Sequence, residues 1–173
     1  MNHRLPMLWT LMSLLLLVGP VGAADSQEPE ASKDKMPAEI VWNDYDAGLK
    51  MAKEQDKHVF VNFTTSWCGY CKKMDKTTFV DPDVLKMFYE NFVAVKVDGD
   101  SKRELDIDGY KIAERNLTRD DYGVGSYPTY WFLTPSGERL GSLRGYQFKD
   151  QLMKFLTYVA ERQYDTTAAK DGK

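Results

Sequence analysis

Residues 58–73 read HVFVNFTTSWCGYCKK, and this stretch decides the fold. His58 to Phe63 is a short apolar run rich in β-formers, the pattern of a buried strand. The strand reading then gives way to a helix reading over Cys68 to about Thr78. At the junction stands Trp67-Cys68-Gly69-Tyr70-Cys71, which holds both cysteines of the chain.

Working outward, the elements alternate. Upstream, Trp42, Tyr45, Leu49 and Ala52 fall at helical spacing and predict a helix over 43–55, capped by Asn43 or Asp44. Downstream, Asp81-Pro82 reads as a cap and first-turn proline for a helix over Asp83 to Asn91, so the preceding helix breaks near Val80. Phe92 to Val97 (FVAVKV) is a second strand. The charged segment Asp98 to Tyr122 is expected to hold a short helix around Ile107 to Arg115. Thr129 to Leu133 (TYWFL) and Glu138 to Leu143 form a hairpin about the turn Pro135-Ser136-Gly137. Phe148, Leu152, Phe155, Leu156 and Val159 then make a helical stripe. The strand–helix–strand crossover implies a parallel pair and the hairpin adds antiparallel strands. The expectation is an α/β fold: a central mixed β-sheet flanked by helices.

The ends read differently. Leu8 to Val18 is almost uninterruptedly apolar, preceded by His3 and Arg4 and followed by Gly19, Pro20, Gly22, Ala23 and Ala24. This is the layout of a secretory signal peptide, with cleavage placed after Ala24, and the run is short for a membrane span. Residues 25–39 are polar and read as a flexible leader, 40–164 as one folded domain, and 165–173 as a frayed tail. With 173 residues, 43% of them hydrophobic, the chain can build one buried core. A net charge of -3 gives no bulk attraction for nucleic acid.

The cysteine pair carries the chemistry. Two intervening residues let the sulfurs reach bonding distance across one helical turn. Cys68 stands at a helix N-terminus, where unpaired backbone N–H groups favour an anion and lower a thiol pKa. Lys72, Lys73 and Lys76 either add positive charge or form only the solvated helix face. Cys71, a turn further in, is expected to be less exposed. Cys68 would attack a substrate disulfide and Cys71 would resolve the mixed disulfide. Other readings fit less well. A purely structural bridge over so short a loop removes little chain entropy. Zinc needs four ligands where the pair supplies two, and His58 begins the strand at its far end from the cysteines. Covalent haem needs His after the second Cys, where Lys72 stands. No metal and no cofactor are assigned.

At these residues the sequence resembles the thioredoxin superfamily, over roughly Val41 to Glu161. HVFVNF runs into WCGYCK, Tyr127-Pro128-Thr129 matches the family's cis-proline loop, and Gly145 matches its final strand-to-helix junction. Lys72 to Val97 is also similar to the C-terminal thioredoxin-like domain of the bacterial disulfide interchange transmembrane reductase. The resemblance implies that Pro128 is cis and packs against the disulfide beside Tyr127, exposing backbone for an extended substrate. It implies that Trp67 shields the site, with core packing as the other reading. It matches Lys96 to a lysine beneath the active site, with a strand-edge charge as the other reading. Gly69 and Tyr70 fall within the active-site loop. One departure stands out: Asn62 occupies the place of the family's buried Asp and cannot accept a proton near neutral pH. Residues 98–122 are longer than the family's segment and are expected to form a partner-specific surface.

The function implied is a periplasmic reductase of protein disulfides, monomeric and supplied with electrons by a membrane thiol donor. Oxidase and isomerase directions stay open. So does a binding module that uses the segment 98–122, with the disulfide incidental.

Overall fold

The computed structural model describes residues 36–165. The expected signal peptide, residues 25–35 of the expected leader, and the expected tail beyond Asp165 lie outside them.

A central sheet of five strands runs in the order β1-β3-β2-β6-β7. β1 is Trp42–Asn43, β2 His58–Thr64, β3 Phe92–Asp98, β6 Thr129–Leu133 and β7 Arg139–Arg144. β3 pairs in parallel with β1 and β2, while β6 pairs antiparallel with β2 and β7. The expected mixed sheet is therefore present. β2 is its middle strand and is buried from His58 through Phe63, which is why its sequence is a near-continuous apolar run.

The two faces of β2 serve two cores. Phe60 packs with Met74, Phe79, Phe88, Tyr130 and Phe132 under α2 (Gly69–Lys76), α3 (Pro82–Asn91) and α5 (Lys149–Ala160). Val59, Val61 and Phe63 pack on the opposite face with Tyr45 and Ala52 of α1 (Tyr45–Gln55). The Phe60 ring stacks on Tyr130 at 5.3 Å and meets Phe88 edge-on at 4.9 Å. Truncating such a ring costs about 3–5 kcal/mol, a large part of a total stability of about 5–15 kcal/mol.

The expected break between helices holds. α2 ends at Lys76, a single tight turn spans Thr78–Val80, and Asp81 caps α3 by accepting from the Asp83 amide at 2.9 Å. Two readings are corrected. Trp42 is not on the first helix but on β1, opposite Ala94, with its ring edge-on to Phe79 at 5.3 Å. Asn43 is not the cap either: its amide donates to the Ala94 carbonyl at 3.0 Å, and Asp44 takes the cap position. In the last helix, Phe148 caps α5 and is exposed, as is Phe155, so the stripe that packs is Leu152, Leu156 and Val159.

A further correction concerns the long segment after β3. Instead of a helix over 107–115 it forms a hairpin, β4 (Glu104–Ile107) and β5 (Tyr110–Ala113). Asp108 and Gly109 make its turn with φ of 51° and 89°, the positive angles that a two-residue hairpin turn requires. Leu105 and Ile112 face each other across the hairpin and are buried against the α1 side of the sheet. Arg103 anchors its base, reaching Asp44 at 2.6 Å and the buried Glu114 at 2.8 Å. A short helical turn (α4, Glu114–Asn116) and a wide turn closed by Tyr122 N–H on the Leu117 carbonyl lead back to the sheet.

His58, at the start of β2, is buried, and one ring nitrogen lies 2.8 Å from the Tyr164 hydroxyl. Burial lowers its pKa, with Arg162 adding to the effect. The unfolded chain therefore binds a proton at higher pH than the folded one. Stability is fully present above about pH 6.5 and falls as pH drops below it, by at most about 1.4 kcal/mol per pH unit. Denaturant midpoints of the wild type should fall between pH 7 and pH 5.5, and a His58→Gln variant should lose that part of the slope.

Candidate active site

Two chain segments meet at the site. The first is the end of β2 and the start of α2. The Cys68 amide donates to the Thr65 carbonyl at 3.2 Å, closing the turn that leaves the strand. Cys68 then caps α2, its sulfur accepting from the Cys71 amide at 3.1 Å. Cys68 and Cys71 are joined in a disulfide, with an S–S distance of 2.05 Å. The cap position directs the Cys71 N–H at the Cys68 sulfur, the arrangement that favours a thiolate. The expected difference in exposure is absent in this disulfide form: Cys68 is 4% exposed and Cys71 5%.

The second segment is the loop before β6, where the Tyr127–Pro128 peptide bond is cis, as the resemblance implies. Trp67 ties the two segments together. Its ring meets Tyr127 edge-on at 5.7 Å, and its indole N–H donates to Asp100 at 2.6 Å. At 66% exposure Trp67 is not core packing; it is an anchored part of the rim. Tyr70 is exposed beside it, and Gly69 begins α2 in open space. Burial raises the Tyr127 phenol pKa, with Asp100 and Asp98 adding to it, so this hydroxyl stays neutral at the site.

The root of the hairpin insertion buttresses this rim. Gly99 donates its amide to the Thr64 carbonyl at 2.8 Å, and a Cβ at Gly99 would overlap the Tyr127 hydroxyl. Asp98 accepts from the Asp100 amide at 3.0 Å, which sets the carboxylate that holds Trp67.

On the α2 side lies an open cleft of about 670 Å³ whose walls include Cys71, Thr65, Lys72, Asp75 and Lys96. Lys96 pairs with Asp75 at 3.1 Å and lies over the Trp42 ring at 4.6 Å. It sits just past the end of β1 and opposite Asn62 in register. Asn62 is buried, and its Oδ1 has no partner among the described residues; the same holds for Thr65 Oγ1 and the Tyr130 hydroxyl. Of the three lysines near the cysteines, only Lys72 shares the cleft. The Lys73 ammonium lies over Tyr146 at 4.4 Å, and Lys76 is on the solvated face.

Sequence reasoning missed Asp75, Asp100, Thr65 and Tyr130. Asp75 was open to detection, because it is four residues after Cys71 and so shares its helix face. The others depend on how distant segments meet.

A disulfide at a helix cap, facing a cis-proline loop at the end of a mixed sheet, defines a class: thioredoxin-fold proteins of the thiol–disulfide oxidoreductase type. The chain belongs to the thioredoxin-like domain family, whose sequence profile matches residues 45–160. It is similar to a protein disulfide-isomerase of Triticum aestivum, 27% identical over 145 residues, covering 84% of this chain and 24% of that protein. The chain thus spans about a quarter of that relative's length. It is 31% identical over 116 residues to a thioredoxin of Alicyclobacillus acidocaldarius, covering 67% of this chain and 94% of that one. Among solved structures, a putative disulphide-isomerase from Bacteroides thetaiotaomicron superposes with a TM-score of 0.54 at 32% identity, covering 71% of this chain and 93% of that one.

Removing the Asp100 carboxylate tests the rim. Asp100→Ala should leave global stability within about 1 kcal/mol, because the bond is exposed. It should release the indole, which time-resolved tryptophan anisotropy would report as faster local motion, and it should raise KM for a disulfide substrate severalfold with kcat less affected.

Proposed function

We propose that the protein is an exported thiol–disulfide oxidoreductase that reduces protein disulfides, with Cys68 as nucleophile and Cys71 as resolving thiol. The observation that carries this reading is the pair itself: Cys68 caps α2 and Cys71, one turn on, is bonded to it. In the reduced protein the Cys68 thiolate attacks one sulfur of a substrate disulfide. The substrate S–S bond breaks, and its electron pair leaves on the other sulfur, which takes up a proton. The Cys71 thiolate then attacks Cys68 Sγ, the mixed bond breaks, and the remaining substrate sulfur leaves and is protonated. The substrate gains two electrons and the protein is left in the disulfide form described here. The exposed rim of Trp67, Tyr70 and Tyr127 and the cis-proline loop would receive the substrate chain.

Export is supported by the apolar run Leu8 to Val18 and the small residues after it. A periplasmic setting is supported by the resemblance of Lys72 to Val97 to the interchange-protein domain. A reductase in an oxidising compartment must be re-reduced, so a membrane thiol donor is its natural partner, with the protein acting as a monomer. Isomerisation is the second reading, favoured by the similarity to disulfide-isomerases.

Equilibration with dithiothreitol or glutathione tests the direction. A potential near about -270 mV supports a reductase, one near about -180 mV an isomerase, and one near about -120 mV overturns the reducing reading. Cys68→Ser should abolish insulin reduction. Cys71→Ser should instead trap mixed disulfides with substrates, detectable on non-reducing gels and lost on adding dithiothreitol.

A further inference from the structure

We infer that the proton of Cys71 leaves through a water held beneath α2 by Asn62, Thr65 and Tyr130, opening onto the cleft that carries Asp75 and Lys96. The inference rests on the oxidoreductase reading above and deepens it. Three buried side-chain oxygens, Asn62 Oδ1, Thr65 Oγ1 and the Tyr130 hydroxyl, have no protein partner among the described residues. Each such group is costly to leave unpaired, and buried polar atoms of this kind are ordinarily satisfied by ordered water.

Their placement is not scattered. Asn62 is opposite Tyr130 on β6 and opposite Lys96 on β3, so the three residues form a row on the sheet face that α2 covers. Thr65 follows β2 directly and lines the cleft together with Cys71, Asp75 and Lys96. Burial raises the Tyr130 phenol pKa far above the ordinary value, with the Asp75 charge contributing, so the hydroxyl remains a donor.

The hydrogen-bonding capacities close. A water has two O–H donors and two lone pairs. Its donors satisfy Asn62 Oδ1 and Thr65 Oγ1, and its lone pairs accept from the Tyr130 hydroxyl and the Cys71 thiol. Asn62, Thr65 and Tyr130 are thus positioning residues for the water. When Cys71 ionises, the S–H bond breaks and the proton passes to this water; the water hands one of its own protons to Thr65 Oγ1, and the Thr65 hydroxyl proton passes to solvent in the cleft that Thr65 lines. The sulfur keeps the electron pair and attacks Cys68 Sγ. Lys96 supplies the facing positive charge. The other charged groups facing the cleft are Lys72 and Asp75 from α2 and Asp98 from β3, with Arg103 held between Asp44 and Glu114.

Stopped-flow mixing of the reduced protein with a chromogenic aryl disulfide separates the steps. The first aryl thiol released reports attack by Cys68, and the second reports resolution by Cys71. Tyr130→Phe should slow the second phase about tenfold at neutral pH and shift its pH midpoint up by about one unit, leaving the first phase within twofold. Thr65→Val, outside the strands, should act in the same direction. Adding Asn62→Asp to Tyr130→Phe should restore the second phase by supplying a carboxylate acceptor. An unchanged second-phase pH profile in both single variants overturns the inference. Equal slowing of both phases also overturns it, because that marks a packing defect. Absence of any thiol release from the wild type overturns the oxidoreductase reading itself.

Discussion

The structure depends on the burial of β2 on both faces. A strand in that position must be apolar on successive residues rather than alternate ones, and Val59, Phe60, Val61 and Phe63 meet that demand. Phe60 then fixes the layer of α2, α3 and α5, and Val59, Val61 and Phe63 fix the layer of α1. Because the strand is held from both sides, its last residues have no freedom to wander. The turn at Thr65 therefore delivers Cys68 to the same place in every molecule, at the cap of a helix whose own buried residues are Cys71 and Met74. The cysteine pair is placed by hydrophobic packing, and its position at a helix cap follows from that placement.

The same burial makes Asn62 consequential. A carboxylate there would be a charge in the core, expensive unless paired. The neutral amide removes that cost and removes a proton acceptor with it. Charge reappears one layer out, where Asp75 on α2 meets Lys96 on β3 at the wall of a solvent cleft. Both groups are partly exposed there, so their pairing stabilises little.

Much of this was legible in the sequence, and the pattern of failures is physical. Long periodic elements were read correctly: β2, β3, the β6–β7 hairpin and the helices after Cys68 and Asp81 follow from local apolar runs, caps and turn residues. The errors fall where local and tertiary preferences diverge. Trp42 sits at helical spacing from Tyr45, yet pairing with Ala94 and contact with Phe79 pull it into a strand. In the segment after β3, the charged residues concealed the alternation of Leu105 and Ile107 with Glu104 and Asp106. The Asp108-Gly109 turn was the signal that should have been weighed. At the site, the cysteines and the cis-proline were visible because each is a local motif. Asp100 and Tyr130 were not, since nothing in their own neighbourhoods announces what they meet.

The insertion also changes what kind of site this is. Its root, residues 98–101, touches three parts of the site at once: Asp98 and Ser101 line the cleft beside Cys71, Gly99 abuts Tyr127, and Asp100 holds Trp67. The hairpin itself is clamped to the α1 side of the sheet by Leu105 and Ile112, and its base by the Arg103 bridges. A segment fastened at both places cannot be an appended decoration. Any partner that shifts the hairpin must move Gly99 and Asp100, and through them the rim of Trp67 and Tyr127. The extra length over residues 98–122 thus acts on the site by fixing the rim's geometry, whatever surface its outer face presents.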